Sequence, residues 1–195
     1  MRRVLNVVRL QLINKQTYLW VPLIVLGGSL LISILIYALI PGEIAKYGGG
    51  SQAPLWAFLF VGIQAMTMSF PFSQAMSITR RDFYLGTLLT AVMTSGILGL
   101  VFIIGGLLEQ ATNGWGVNGW FFYLPWVWEA GPLAAGFVYF TLALLIFIIG
   151  FTCATIYKSW GPLVLSAIGI ALALALVGVV FLVTRLELWG DVWVG

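Results

Sequence analysis

Histidine is absent from this 195-residue chain, cysteine occurs once, and Asp, Glu, Lys and Arg together make up only 8% of it. Each shortage removes a class of chemistry. Without His there is no imidazole base, no Ser-His-Asp triad, no His-ligated zinc and no bis-His haem. The one thiol, Cys153, closes no internal disulfide, and its apolar neighbours give it the character of a small hydrophobe. None of Lys15, Lys46 and Lys158 follows a Gly, so no G-x-x-x-x-G-K-[ST] loop is present to cradle a nucleotide phosphate. Nine basic and six acidic residues give a net charge of +3 and a pI near 9.2. So few cations make no phosphate-binding surface, which excludes nucleic acid as a partner. No catalytic, cofactor or metal residue is expected in this chain, and an enzyme is the weakest reading of it.

What is abundant is apolar: 62% hydrophobic residues, 15% aromatic, and a mean hydropathy of +1.08. A soluble domain carries about a quarter charged residues, so this composition belongs in a bilayer. The charges cluster and leave five long clean runs, which predict spans over about Leu19–Ile40, Leu55–Phe72, Tyr84–Leu108, Leu133–Tyr157 and Pro162–Thr184. Runs of this length without two-residue alternation indicate helices rather than barrel strands. The expected fold is therefore all-α: a polytopic transmembrane helix bundle of about five spans, preceded by an interfacial helix. With the N-terminus in the cytoplasm, only Lys46 and Arg185 of the nine basic residues fall outside, which is the orientation the positive-inside rule selects.

The segments between the spans carry most of the polar residues. Residues 1–17 read as a helix lying on the inner surface, with Val4, Val8, Leu12 and Leu5 apolar, Arg2, Asn6 and Arg9 opposite, and Gln11 and Lys15 interrupting the apolar face. Residues 18–184 form the transmembrane domain. Within it, 73–84 is an inward loop in which Gln74–Ile78 could form a short surface helix and Thr79 with Asp82 resembles a capping box. An outward loop, 109–131, holds Trp115, Trp120, Phe121, Phe122, Tyr123, Trp126 and Trp128, rings suited to the headgroup layer. Asn113, Gly114, Gly116, Asn118, Gly119 and Pro125 make it a poor helix. Residues 185–195 are an outward tail in which Trp189 and Trp193 continue the aromatic belt. Inside the bilayer Gln64 and Thr67, with Trp120 and Trp126 above, are candidates for a substrate path, and Ala167, Ala171 and Ala175 for a helix interface. Ordinary helix packing and interfacial anchoring are the plainer accounts of both groups and are preferred to a substrate path.

A basic N-terminal segment, a second span ending at a short inward helix, and the run Ile78-Thr79-Arg80-Arg81-Asp82-Phe83-Tyr84-Leu85-Gly86-Thr87 entering the third resemble the permease subunits of type-2 ATP-binding-cassette transporters. Those often carry G-x-[ST]-R-R-[DE]-[FY] in this loop, and Met76-Ser77-Ile78 stands here where the family often has its Gly. The resemblance implies that residues 1–17 are the elbow helix and that the loop couples the spans to a separate cytosolic ATPase through Ser77, Thr79, Arg80, Arg81, Asp82 and Phe83. Phe83 is then the apolar anchor in the partner. It further implies ATP and magnesium on that partner, a second permease subunit, identical or different, and a bacterial inner membrane. The family usually has six spans and a cytoplasmic C-terminus, against the five counted here. Two other readings stand beside it: the substrate-binding membrane subunit of an energy-coupling-factor importer, and a non-transporting accessory subunit of a membrane complex.

Overall fold

The computed structural model describes residues 2–41 and 44–185; Glu43 and the expected tail beyond Arg185, including Trp189 and Trp193, lie outside the described residues. In chain order the elements are α1 (Arg2–Ile13), α2 (Val21–Leu39), β1 (Lys46–Tyr47), α3 (Ala53–Gln64), α4 (Phe70–Ala75), α5 (Arg80–Ala111), β2 (Gly119–Trp120), α6 (Pro125–Trp128) and α7 (Pro132–Arg185). Two π-helical turns, Gln16–Trp20 and Ala65–Ser69, run continuously into α2 and α4. Among the described residues the result is four helical stretches long and apolar enough to cross a membrane: Gln16–Leu39, Gly49–Ala75, Arg80–Ala111 and Pro132–Arg185. The chain divides into two compact units, Met1–Ala154 and Thr155–Gly195.

The 54-residue α7 would be about 81 Å long as one straight helix, far more than a ~30 Å hydrocarbon core. It is broken at Gly161, whose φ of +84° and ψ of 178° are non-helical, and Pro162 follows. Proline has no N–H to continue the ladder and its ring disfavours a helical residue before it, so the break falls where the sequence separates its last two apolar runs. The described part of the second unit is the remainder of this helical run to Arg185; Ala167, Ala171 and Ala175 recur on one face of it and are exposed.

The first unit is a core of facing helices. Along α7, Ala135, Tyr139, Ala143 and Phe147 are buried at every fourth position and meet Phe58, Val61 and Ala65 of the second stretch and Ala91, Leu98 and Phe102 of α5. Small residues set the closest crossing. A Cβ added to Gly62 would strike the Phe147 carbonyl, and one added to Gly150 would strike the Leu59 carbonyl, so the two backbones touch there. The Tyr18 and Ser69 hydroxyls pair at 3.1 Å, tying one π-helical turn to the other. A two-residue parallel pairing, Lys46 with Gly119 and Tyr47 with Trp120, adds a trace of sheet to the otherwise helical fold.

Helix α1 forms, with Val8 of the expected apolar face buried and Asn6 and Arg9 exposed as expected, but the buried face is turned toward Val7 and away from Leu5. Val7, Val8 and Gln11 are buried while Leu5 is 51% exposed. Gln11, which interrupts the apolar face in the sequence, is part of the contact: its Nε2 donates to Thr87 Oγ1 on α5 at 2.8 Å. The crossing is close because α5 presents Gly86, where a Cβ would come within 2.5 Å of Val7 Cβ. Gly86→Leu is therefore expected to push α1 off α5, costing about 1–3 kcal/mol of stability as an overpacked core does. Faster tryptic cleavage after Arg9 in the detergent-solubilised variant, with α5 still protected, is the check.

Candidate functional site

Two clusters of polar groups stand at opposite ends of the first unit. The basic end is built by the chain reversal between α4 and α5. The helix that starts at Ala53 runs on through Ala75, so Gln74–Ile78 is not a separate surface helix as expected; it is the end of that stretch and the turn that follows. Ser77 takes a left-handed φ of +57°. Its N–H donates to Gln74 O at 3.0 Å and the Ile78 N–H to Ser73 O at 3.1 Å, the paired bonds of a Schellman cap that satisfy the last helical carbonyls. The next helix begins two residues later. Thr79, in extended conformation, accepts the Asp82 N–H at 3.2 Å and donates its hydroxyl to Asp82 Oδ2 at 2.7 Å. The expected capping box thus forms in a modified way: Asp is shorter than Glu, and its carboxylate takes the Thr hydroxyl instead of reaching the cap N–H. Asp82 also places a negative charge in the first turn of α5, where the helix dipole favours it.

Arg80 and Arg81 are exposed at this turn, as are Ser77 and Thr79, with Asp82 half-buried. Phe83 is not available to a partner. It is fully buried, edge-to-face with Phe70 at 5.1 Å and beside Tyr84 and Phe151 at 6.1 and 6.5 Å, so its ring holds the turn to the core of the unit. A residue two steps past an arginine pair reads as exposed in the sequence, but one helical turn after the Thr79 cap rotates it inward.

The other end is organised by Glu109, a residue assigned only to an outer flank in the sequence. It is fully buried on the last turns of α5. Its Oε1 accepts from Trp115 Nε1 and the Phe121 N–H, both at 2.7 Å; its Oε2 accepts from the Phe122 and Tyr123 N–H groups at 2.8 and 2.7 Å. Four N–H groups thus replace the water a carboxylate loses on burial. The chain reaches this geometry by a left-handed path: Asn113, Gly114, Trp115, Gly116 and Asn118 all have positive φ between 50° and 74°. Asn and Gly tolerate that region, which is why the segment reads as a poor helix. The aromatic loop is accordingly not a surface belt throughout. Phe121, Phe122, Val127 and Trp128 are buried, Trp128 Nε1 donates to Phe122 O at 3.1 Å, and Phe122 stacks edge-on against Phe102 at 5.1 Å. At the same end Lys46 Nζ donates to Tyr37 O and Ile40 O, both at 2.8 Å, and so caps the carbonyls that finish α2.

The four candidates for a substrate path are not brought together. Gln64 lies in the middle of its helical stretch, half-buried, with its Oε1 buried and without a hydrogen-bond partner. Thr67 is exposed and bonds back to Ile63 O at 3.0 Å. Trp120 is half-buried on β2 at the aromatic end, against Tyr123 at 5.2 Å, and Trp126 is 73% exposed on α6. The two ends offer different chemistry: exposed guanidinium groups at one, a self-satisfied aromatic loop at the other. Among the described residues no cluster of three His, Cys, Asp or Glu groups is placed to hold a metal. No family model, curated protein or solved structure matches the chain.

Substitutions at two positions test these ends. Ser77→Gly relieves the left-handed strain and is expected to raise stability by about 0.5–1 kcal/mol, whereas Ser77→Val lowers it by about 1–2 kcal/mol. Glu109→Ala leaves three buried backbone N–H groups without an acceptor and is expected to cost at least about 3 kcal/mol; Glu109→Gln, which turns an NH2 toward donors, costs about 1–3 kcal/mol. Thermal unfolding in a fixed detergent measures all four, and an unchanged midpoint for Glu109→Ala would refute the assigned role.

Proposed function

We propose that the chain is the membrane-spanning permease subunit of an ATP-binding-cassette transporter, moving a hydrophobic or amphipathic substrate outward with ATP hydrolysed by a separate subunit. The observation that carries this reading is the backbone at Ser77. The residue occupies the position where the resembled loop motif has Gly, and it adopts the left-handed conformation that Gly is suited to, immediately before the Thr79 cap and the exposed Arg80-Arg81 pair. Helix α1, seated on the first turns of α5 beside that loop, supports the same reading as an elbow-like element.

In this reading the break at Gly161 divides α7 into two spans, giving five in all with the N-terminus in the cytoplasm of a bacterium and the arginine pair facing the ATPase. A second permease subunit completes the pathway. The surface presented to the ATPase is Ser77, Thr79, Arg80, Arg81 and Asp82, with Phe83 acting from inside as the strut that keeps the turn rigid. Force applied at the turn passes into α5 directly, because the capping pair joins them with no flexible linker.

Replacing both arginines, Arg80→Glu with Arg81→Glu, is expected to cut transport-linked ATP turnover at least tenfold while the chain still inserts and folds. Turnover assayed on the ATPase co-purified with the tagged chain checks this. Undiminished turnover, or the lack of any nucleotide hydrolase among the proteins that co-purify, would reject the reading.

A further inference from the structure

Beside α1 the first turns of α5 leave a cleft of about 690 Å³, within the range that small-molecule sites occupy. Its two walls differ in character from its mouth. Leu85 and Leu89 of α5 form one wall, 47% and 38% exposed, and Val4 with Leu5 of α1 form the other. The mouth is Thr79, Arg81 and Asp82. Arg81, Leu85 and Leu89 are spaced by four residues and share a face of the helix, so at 1.5 Å per residue the two leucines lie about 6 and 12 Å along the axis from the arginine. A cation at the lip of an apolar slot, with the slot running along a membrane-crossing helix, is the complement of a molecule with an anionic head and a hydrocarbon tail.

Asp82 does not reverse that polarity. Its Oδ2 is engaged by the Thr79 hydroxyl within the helix cap, which leaves Arg81 as the cation at the mouth. The cleft exists because α1 buries Val7, Val8 and Gln11 against α5 and leaves Leu5 outside the contact. We propose that this cleft is a binding site for an anionic phospholipid of the surrounding bilayer, its phosphate held at Arg81 and one acyl chain laid along Leu85 and Leu89. The lipid then fills the gap between α1 and α5 and fixes how α1 sits at the headgroup level. This site is independent of the transporter reading, since it asks only that the chain lie in a bilayer.

The test uses the full-length chain alone, without any ATPase. Detergent-purified protein is mixed with phosphatidylglycerol or with phosphatidylcholine of the same acyl composition, and bound lipid is counted by native mass spectrometry. The wild type is expected to retain phosphatidylglycerol at least fivefold over phosphatidylcholine, and equimolar inorganic phosphate should not displace it. Arg81→Gln and, separately, Leu85→Trp, which blocks the slot without touching charge, should each lower retention at least fivefold, with Arg185→Gln as the unaffected control. Loss with Arg81→Gln but not with Leu85→Trp would mean diffuse attraction to basic residues and would overturn the site. So would retention that survives both changes. Displacement by inorganic phosphate would reduce it to an anion site, and release of the lipid when a protein partner binds would assign the cleft to that partner.

Discussion

Hydrocarbon supplies no hydrogen bonds, and the structure is shaped by where the chain must supply them itself. Within the long helices the backbone is satisfied by its own ladder, so the demand concentrates where helices stop. Four of these ends have a specific answer. Lys46 closes α2, the Schellman bonds at Ser77 and Ile78 close α4, Thr79 opens α5, and Thr112 returns its hydroxyl to Leu108 O as α5 ends. Glu109 goes further, since its carboxylate serves three successive backbone N–H groups of a segment that is neither helix nor paired strand. Buried hydroxyls obey the same constraint: Thr90 bonds back to Gly86 O and Thr94 to Thr90 O, which lets α5 carry a polar stripe into a packed interface.

What could be read in advance divides along the same line. The helical stretches, their approximate ends and the break near Pro162 follow from runs of apolar residues, because lipid selects on composition and length alone. Turn chemistry was legible too, in the Thr79 cap and in the Asn and Gly residues that make 113–119 unfit for a helix. Rotation about a helix axis was not. Phe83 reads as partner-facing and is buried, and the buried face of α1 is turned from Leu5 toward Val7, because only the Gly86 crossing selects among several near-equivalent faces. Glu109 escaped notice for a related reason. An acid at the end of an apolar run is ordinarily a boundary marker, and nothing local distinguishes one that points inward. The available signal was the left-handed run that begins four residues later, which returns backbone N–H groups toward the helix end and therefore needs an acceptor there.

The two ends of the first unit spend their charge in opposite ways. At the aromatic end the carboxylate of Glu109 is consumed within the fold, with every lone-pair direction facing an N–H, and the indole rings of Trp115 and Trp128 are tied to Glu109 and to Phe122 O. A loop satisfied in this manner has little left to offer a ligand at its centre; its free surface is the outer rim, where Trp126 stands exposed. At the basic end the backbone turn is satisfied by its own Schellman and capping bonds, which frees Arg80 and Arg81 from any structural duty there. Charges that a fold does not need for itself are the ones it can present to something else.

That distinction bears on how one short segment can serve both a bilayer and a protein. Arg81 lies on the cleft between α1 and α5, facing apolar walls that continue toward the membrane interior, whereas Ser77 and Thr79 cap the turn itself. A lipid phosphate at the cleft mouth would neutralise a cation that otherwise repels its neighbour Arg80, and would leave Arg80 as the charge directed at a partner. Interactions between such exposed charges are weak singly and screened beyond about 10 Å at moderate salt, so affinity for either ligand must come mainly from shape: the slot for an acyl chain, the rigid turn for a protein surface. Phe83 is then the residue on which both depend. Packed against Phe70, Tyr84 and Phe151, it prevents the turn from moving independently of α5, and a turn that cannot move alone passes what it feels to the whole helix.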